Sequence, residues 1–222
     1  MLLLKTAVVL VSTLVSSTRG NLECTPWSIS VVKCYDAEVY CDTGNGGGGW
    51  LVVQRRQDGS VDFNRTWVEY EDGFGNLRGE FWYGLRALHC LTGQGGWEMR
   101  MDLTLDDNTK VFLHYEQFKV ASATEKYKLS VGGFQGTTFN PMAAVHNGMN
   151  FTTKDSDNDI WSRNCAINDY GANNPAGGWW YSNCHRVNPN RQYNLRHGVY
   201  LGDRWYTIAF SEIKIRPLNC NI

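Results

Sequence analysis

The sequence predicts one globular, loop-rich domain in which a short helix packs on a sheet of short strands. Three observations carry that prediction. Beyond Gly20 about 200 residues remain, enough for one substantial core and short for two. Trp 9, Tyr 11, Phe 9 and Gly 23 describe an aromatic core between many turns, with no heptads, Gly-X-Y run or internal repeat. Finally, Trp97-Glu98-Met99-Arg100-Met101-Asp102-Leu103 and Phe112-Leu113-His114-Tyr115 alternate as paired strands should.

In chain order, residues 1–20 read as a secretory signal peptide. Lys5 is the only early charge, Ala7 to Val15 is mostly apolar, and Ser16-Ser17-Thr18 follows. The apolar core is too short to span a bilayer, which takes ~20 apolar residues. Residues 21–222 form the domain. Seven cysteines and two sequons, Asn64-Arg65-Thr66 and Asn150-Phe151-Thr152, suit an oxidising, extracellular compartment and mark Asn64 and Asn150 for glycosylation. Cys24 to Cys41, with Ala37-Glu38-Val39-Tyr40 alternating before Cys41, predicts an edge strand stapled by a disulfide. The run from Gly44 to Gly49 satisfies G-x-G-x-x-G, but the strand Trp50-Leu51-Val52-Val53-Gln54-Arg55 follows it. A phosphate site needs a helix N-terminus there, so the glycines are read as a turn. Asp58-Gly59 is a second turn. The aromatic run from Trp67 to Asn76, with Glu80-Phe81-Trp82-Tyr83-Gly84-Leu85 behind it, supplies the helix packed on the sheet.

Asp155-Ser156-Asp157-Asn158-Asp159 places three carboxylates on alternate residues of a turn-prone run. Two readings stand on the residues alone: a calcium ion held by converging oxygens, or a solvated acidic turn. An EF-hand is excluded. Its sixth and twelfth positions need Gly and Glu, and these fall on Ile160 and Ala166 counted from Asp155, or Ser162 and Asn168 counted from Asp157.

Tyr40-Cys41-Asp42, Gly48-Gly49-Trp50, Gln54-Arg55-Arg56, Asp58-Gly59-Ser60-Val61-Asp62-Phe63, Gly73-Phe74-Gly75-Asn76, Gly79-Glu80-Phe81-Trp82, His146-Asn147-Gly148-Met149-Asn150-Phe151-Thr152-Thr153 and Ser211-Glu212-Ile213-Lys214-Ile215-Arg216-Pro217 occur in one order. Together they resemble the fibrinogen C-terminal-like domain of ficolins, tachylectin-like lectins, angiopoietins, tenascin tails and fibrinogen chains. The resemblance runs from Ala37 to Pro217. It implies an α+β domain with a twisted central antiparallel sheet, a small N-terminal subdomain, and a loop-rich C-terminal region carrying calcium and ligand.

By that resemblance Ca2+ falls to the carboxylates of Asp157 and Asp159 and the backbone oxygens of Trp161 and Arg163, with Asp155 behind it or in solvent. The resemblance also implies a Cys165–Cys184 disulfide and a cis peptide between Asn183 and Cys184. Backbone amides at Asn183 and Cys184, together with His185, Tyr170 and Tyr206, are then expected to bind an acetamido group. Such a group wants a donor for its carbonyl and an aromatic-lined recess for its methyl. Trp179 and Trp180 are read as core. Cys41 is expected to pair with Cys24 or Cys34, and Cys90 with Cys220, leaving an odd thiol that could join chains into a homo-oligomer.

Three departures from the family pattern bear on specificity. The interval between Cys165 and Cys184 is long, the excess falling around Ala172-Asn173-Asn174-Pro175-Ala176. Asn188-Pro189-Asn190-Arg191 replaces the usual Asn-Leu-Asn-Gly turn, and Asn194-Leu195-Arg196-His197-Gly198 lacks a pocket aromatic.

Catalysis is not expected. No G-x-S-x-G or H-E-x-x-H occurs, and Cys90 beside His89, taken as strand neighbours, would point away from it. With a net charge of -1, no nucleic-acid or membrane-surface affinity is implied. The first function class is a secreted, calcium-dependent lectin for acetylated sugars or related groups on microbial or cell surfaces, serving innate immunity. The second is an extracellular protein-binding, adhesive or clotting-like module using the same loops.

Overall fold

Every residue of β2 (Trp50–Arg56) is buried, because strands flank it on both edges and side chains cover both faces. The computed structural model describes residues 40–42, 49–168 and 175–218. The signal peptide, Cys24, Cys34, the glycines before Gly49, Tyr170, residues 172–174 and Cys220 lie outside them. Along one edge β2 meets β1 (Tyr40–Asp42) at residues 50–52 and β4 (Phe81–Trp82) at Gln54 and Arg55; along the other it meets β10 (Ile208–Pro217). With β3 (Phe74–Gly75), β5 (Trp97–Leu105), β6 (Lys110–Val120) and β7 (Leu129–Gly136), the path is β3-β4-β2-β10-β5-β6-β7, antiparallel throughout. β8 (Val199–Leu201) and β9 (Arg204–Tyr206) form a separate hairpin.

The alternation read in β5 is realised. Met99, Met101, Leu103 and Leu105 are buried, while Arg100, Asp102 and Thr104 between them are half-buried. On that polar face Lys214, itself buried, reaches Asp102 at 2.8 Å and Asp42 at 2.5 Å, which ties β1 to β10 and β5. Glu98 takes Arg216 and His114, each at 2.6 Å.

Among the described residues four short α-helices complete the α+β fold: α1 (Trp67–Asp72), α2 (Leu85–Thr92), α3 (Pro141–Val145) and α4 (Cys165–Asn168). Leu85, Leu88 and Leu91 share one helical face and are buried. His89 and Cys90 therefore sit on α2, not on a strand as the sequence suggested. Cys90 is disulfide-bonded, the expected role. Tyr70 of α1 donates to Phe63 O at 2.7 Å and accepts Trp82 Nε1 on its own carbonyl at 3.0 Å. Phe151 packs among Tyr70, Trp82 and Trp180, so the aromatic core runs under the C-terminal loops.

Candidate functional site

The acidic ladder folds as a braced turn. Asn158 Nδ2 donates to Phe151 O at 2.9 Å and Ser156 Oγ at 3.0 Å, and its amide donates to Thr152 Oγ1 at 3.1 Å. Asp155 is not merely solvated: its Oδ1 accepts Trp67 N and Thr153 Oγ1, both at 2.8 Å, so it caps α1. Asp157 is exposed and Asp159 half-buried. Asp159 Oδ1 accepts Trp161 N at 2.8 Å and Oδ2 accepts Cys165 N at 2.9 Å, while Asp157 Oδ1 stands 3.4 Å from Asp159 N. Burial first, and then the neighbouring Asp157 carboxylate, push the Asp159 carboxyl up to about 6. Two carboxylates crowded in this way suit a shared cation. Among the described residues no three His, Cys, Asp or Glu side chains converge on a metal position. An ion here would therefore rest on Asp157, Asp159 and backbone oxygens, as at Trp161 and Arg163.

Cys165 leads directly to the second half of the site. It is bonded to Cys184, Cα to Cα 5.6 Å, and the Asn183–Cys184 peptide is cis. Asn183 is exposed, Cys184 half-buried and His185 buried. His185 Nε2 lies 2.8 Å from His197 O. A carbonyl only accepts, so Nε2 carries a proton and donates it there, which leaves that edge of the ring unavailable to a ligand.

The ring packed against His185 is Trp205, centroids 5.3 Å apart, with Tyr181 at 6.2 Å. Trp205 also meets His197 at 5.4 Å and Tyr200 at 5.2 Å. Tyr206, one position along β9, projects to the other face, where Arg204 lies 4.2 Å over its ring. Tyr206, expected at the pocket, and Trp205 are neighbours on β9 separated only by strand parity, and Trp205 is the one whose ring meets His185.

The altered turn is built into the interior. Asn188 Nδ2 donates to Ala176 O and Tyr181 Oη, Asn190 Nδ2 to Gly178 O, and Gln54 Nε2 to Asn190 Oδ1. Gly177 is required beneath it: φ is +71°, and a Cβ would stand 2.4 Å from Asn190 O. Arg191 is buried, accepting Arg56 Nη1 on its carbonyl at 3.0 Å and directing Nη1 toward His197 O at 3.4 Å. Trp179 and Trp180 are core residues, as read. The two sequon asparagines, Asn64 and Asn150, are half-buried at the surface.

This arrangement, an antiparallel sheet bearing loops cross-linked beside an acidic turn, defines an α+β domain. The chain belongs to the fibrinogen C-terminal domain family: the model described as "Fibrinogen beta and gamma chains, C-terminal globular domain" matches residues 17–218. Tenascin-R of Rattus norvegicus is 44% identical over 188 residues, covering 81% of this chain, which spans 13% of that protein's length. The fibrinogen-like globe domain of human ANGPTL6 superposes with a TM-score of 0.74 at 34% identity, covering 82% of this chain and 84% of that one. A lamprey fibrin D-dimer complexed with the peptide Gly-His-Arg-Pro-amide gives 0.72 at 31% identity over 83% of this chain and 66% of its own. Such relatives are extracellular proteins, and no described helix is long and apolar enough to cross a membrane.

Proposed function

We propose that the chain is a secreted, calcium-dependent lectin that recognises acetylated sugars or related groups on microbial or cell surfaces in innate defence. One observation carries this reading: the acidic turn and the His185 loop are a single mechanical unit. Asp159 holds the amide of Cys165, and Cys165 is bonded to Cys184 beside His185. Ca2+ would rest on Asp157, Asp159 and the carbonyls of Trp161 and Arg163, neutralising the two carboxylates and ordering that turn. An acetyl carbonyl would take backbone amides near Cys184 and His185, and its methyl the recess beside Trp205 and Tyr181. Tyr170 remains a candidate wall residue.

The test is retention of the secreted protein on immobilised N-acetylglucosamine in millimolar calcium. Elution by chelator and by free acetylated sugar is expected. No retention, with calcium binding intact by calorimetry, removes the acetyl reading.

A second reading has its own support. Arg191 fills the interior where the family turn has glycine, and the lamprey relative was solved with a peptide ligand. Under it the same loops grip a protein, and a homo-oligomer joined through a cysteine would raise avidity.

A further inference from the structure

We infer that His146 is a positioning residue that clamps the loop carrying Cys184 and His185 at both of its ends; the inference rests on reading that loop as the ligand site. His146 is fully buried at the end of α3, its amide donating to Met142 O. Its Nδ1 stands 2.7 Å from Trp180 O. The carbonyl only accepts, so Nδ1 is protonated. Its Nε2 stands 3.1 Å from Arg186 N and 3.3 Å from Val187 N. Both are donors, so Nε2 is bare.

One neutral imidazole thus ties the backbone entering the loop at Trp180 to the backbone leaving it at Arg186 and Val187. No other side chain type presents a rigid donor and an acceptor on opposite edges of one small ring. A bland core histidine would need only one satisfied partner on each nitrogen, from anywhere. Here all three partners are main-chain groups flanking one loop, and the residue lies forty positions upstream of the amide at Arg186. Burial, the first cause, holds the ring well below the ordinary imidazole range, at about 3, which agrees with the neutral tautomer the geometry requires.

The clamp separates from general packing in His146→Asn. That carboxamide reaches Trp180 O from the position of Nδ1 but offers nothing at Nε2. Amide exchange at Arg186 and Val187 should accelerate about tenfold, the factor for one lost hydrogen bond, while amides in β5 and β6 keep their rates. Affinity for N-acetylglucosamine should fall by about the same factor. Unchanged exchange at those two amides overturns the inference, as does faster exchange with undiminished sugar affinity.

Should the variant not fold, nitrogen-15 spectra of the wild-type ring decide. The Nδ1–H neutral tautomer is expected at about pH 6, below the point where free imidazole charges, and an Nε2–H tautomer or an imidazolium there overturns the clamp. Wild-type failure to bind the sugar sinks the lectin reading instead, and the clamp then stands or falls on the exchange rates alone.

Discussion

Protonating His146 would put the ring's second proton on Nε2, which faces two N–H groups in a fully buried position. The unfolded chain charges this histidine near 6.5, whereas the folded chain resists until about 3. Between those values the unfolded state binds the extra proton, so stability is full above the upper value and is lost as pH falls through the window. The slope is about 1.4 kcal/mol per pH unit for one such group. Asp159 works the other way. Its folded value of about 6 exceeds the ordinary 3.8, so without a cation it favours the folded state in acid and loses that contribution as pH rises. The two largely offset each other in the wild type, so the difference isolates His146: from about pH 7 to about pH 4 the guanidinium midpoint of the wild type should fall relative to that of His146→Asn. Equal slopes in the two proteins would show that another group sets the acid limit.

Helix α1 is only six residues long and could not persist by propensity alone. It is held by its ends. Thr66 and Glu69 form a reciprocal capping box, and Asp155 of the acidic turn accepts the first helical amide. Hydrogen bonds from Thr66, its amide first and its hydroxyl next, bring the Glu69 carboxyl down to about 2. Thr66 is also the third residue of the Asn64 sequon, so Thr66→Ala removes a cap and a glycosylation signal together, whereas Asn64→Gln removes only the signal. A loss of about 1 kcal/mol is expected for Thr66→Ala beyond that of Asn64→Gln, with Thr66→Ser near wild type; matching midpoints for the first two would deny the cap any energetic role. This element also shows what was legible in the sequence. Alternation announced β5 and β6, and aromatic spacing announced α1, because those signals are local. Helix α2 is hidden because Leu85, Leu88 and Leu91 repeat at helical spacing over only eight residues, too short a run to stand out against a strand period. The contact of Trp205 with His185 is not legible because a hairpin's parity depends on which residue starts it. His146 opens one of the family segments, but its role is not legible there, since its three partners lie in the loop it holds, far along the chain.

At the scale of the whole molecule, the question is how an ion at one surface turn reaches a ligand at another loop. The described path is short and continuous: Asp157 and Asp159, the Cys165 amide, the Cys165–Cys184 bond, then His185 against Trp205, with His146 closing the loop from the far side. A cation that binds only the folded turn stabilises the entire domain by mass action. With a Kd of ~0.1 to 1 mM, as for extracellular modules, about 10 mM calcium contributes about 1.4 to 2.7 kcal/mol. That amounts to a rise of several degrees in Tm for a domain of this size. Because Asp159 must ionise to hold the ion, calcium affinity should weaken as pH falls through about 6. Asp159→Asn keeps an oxygen for one of the two amides and halves the charge offered to the ion. The variant should lose the calcium-dependent rise in Tm and, with it, calcium-dependent sugar retention. A variant that still binds sugar in calcium yet no longer gains stability from it would break the link between turn and loop, leaving two independent sites on one fold. Loss of both together is what a single mechanical unit requires, since Asp159 is the carboxylate that holds the amide of Cys165.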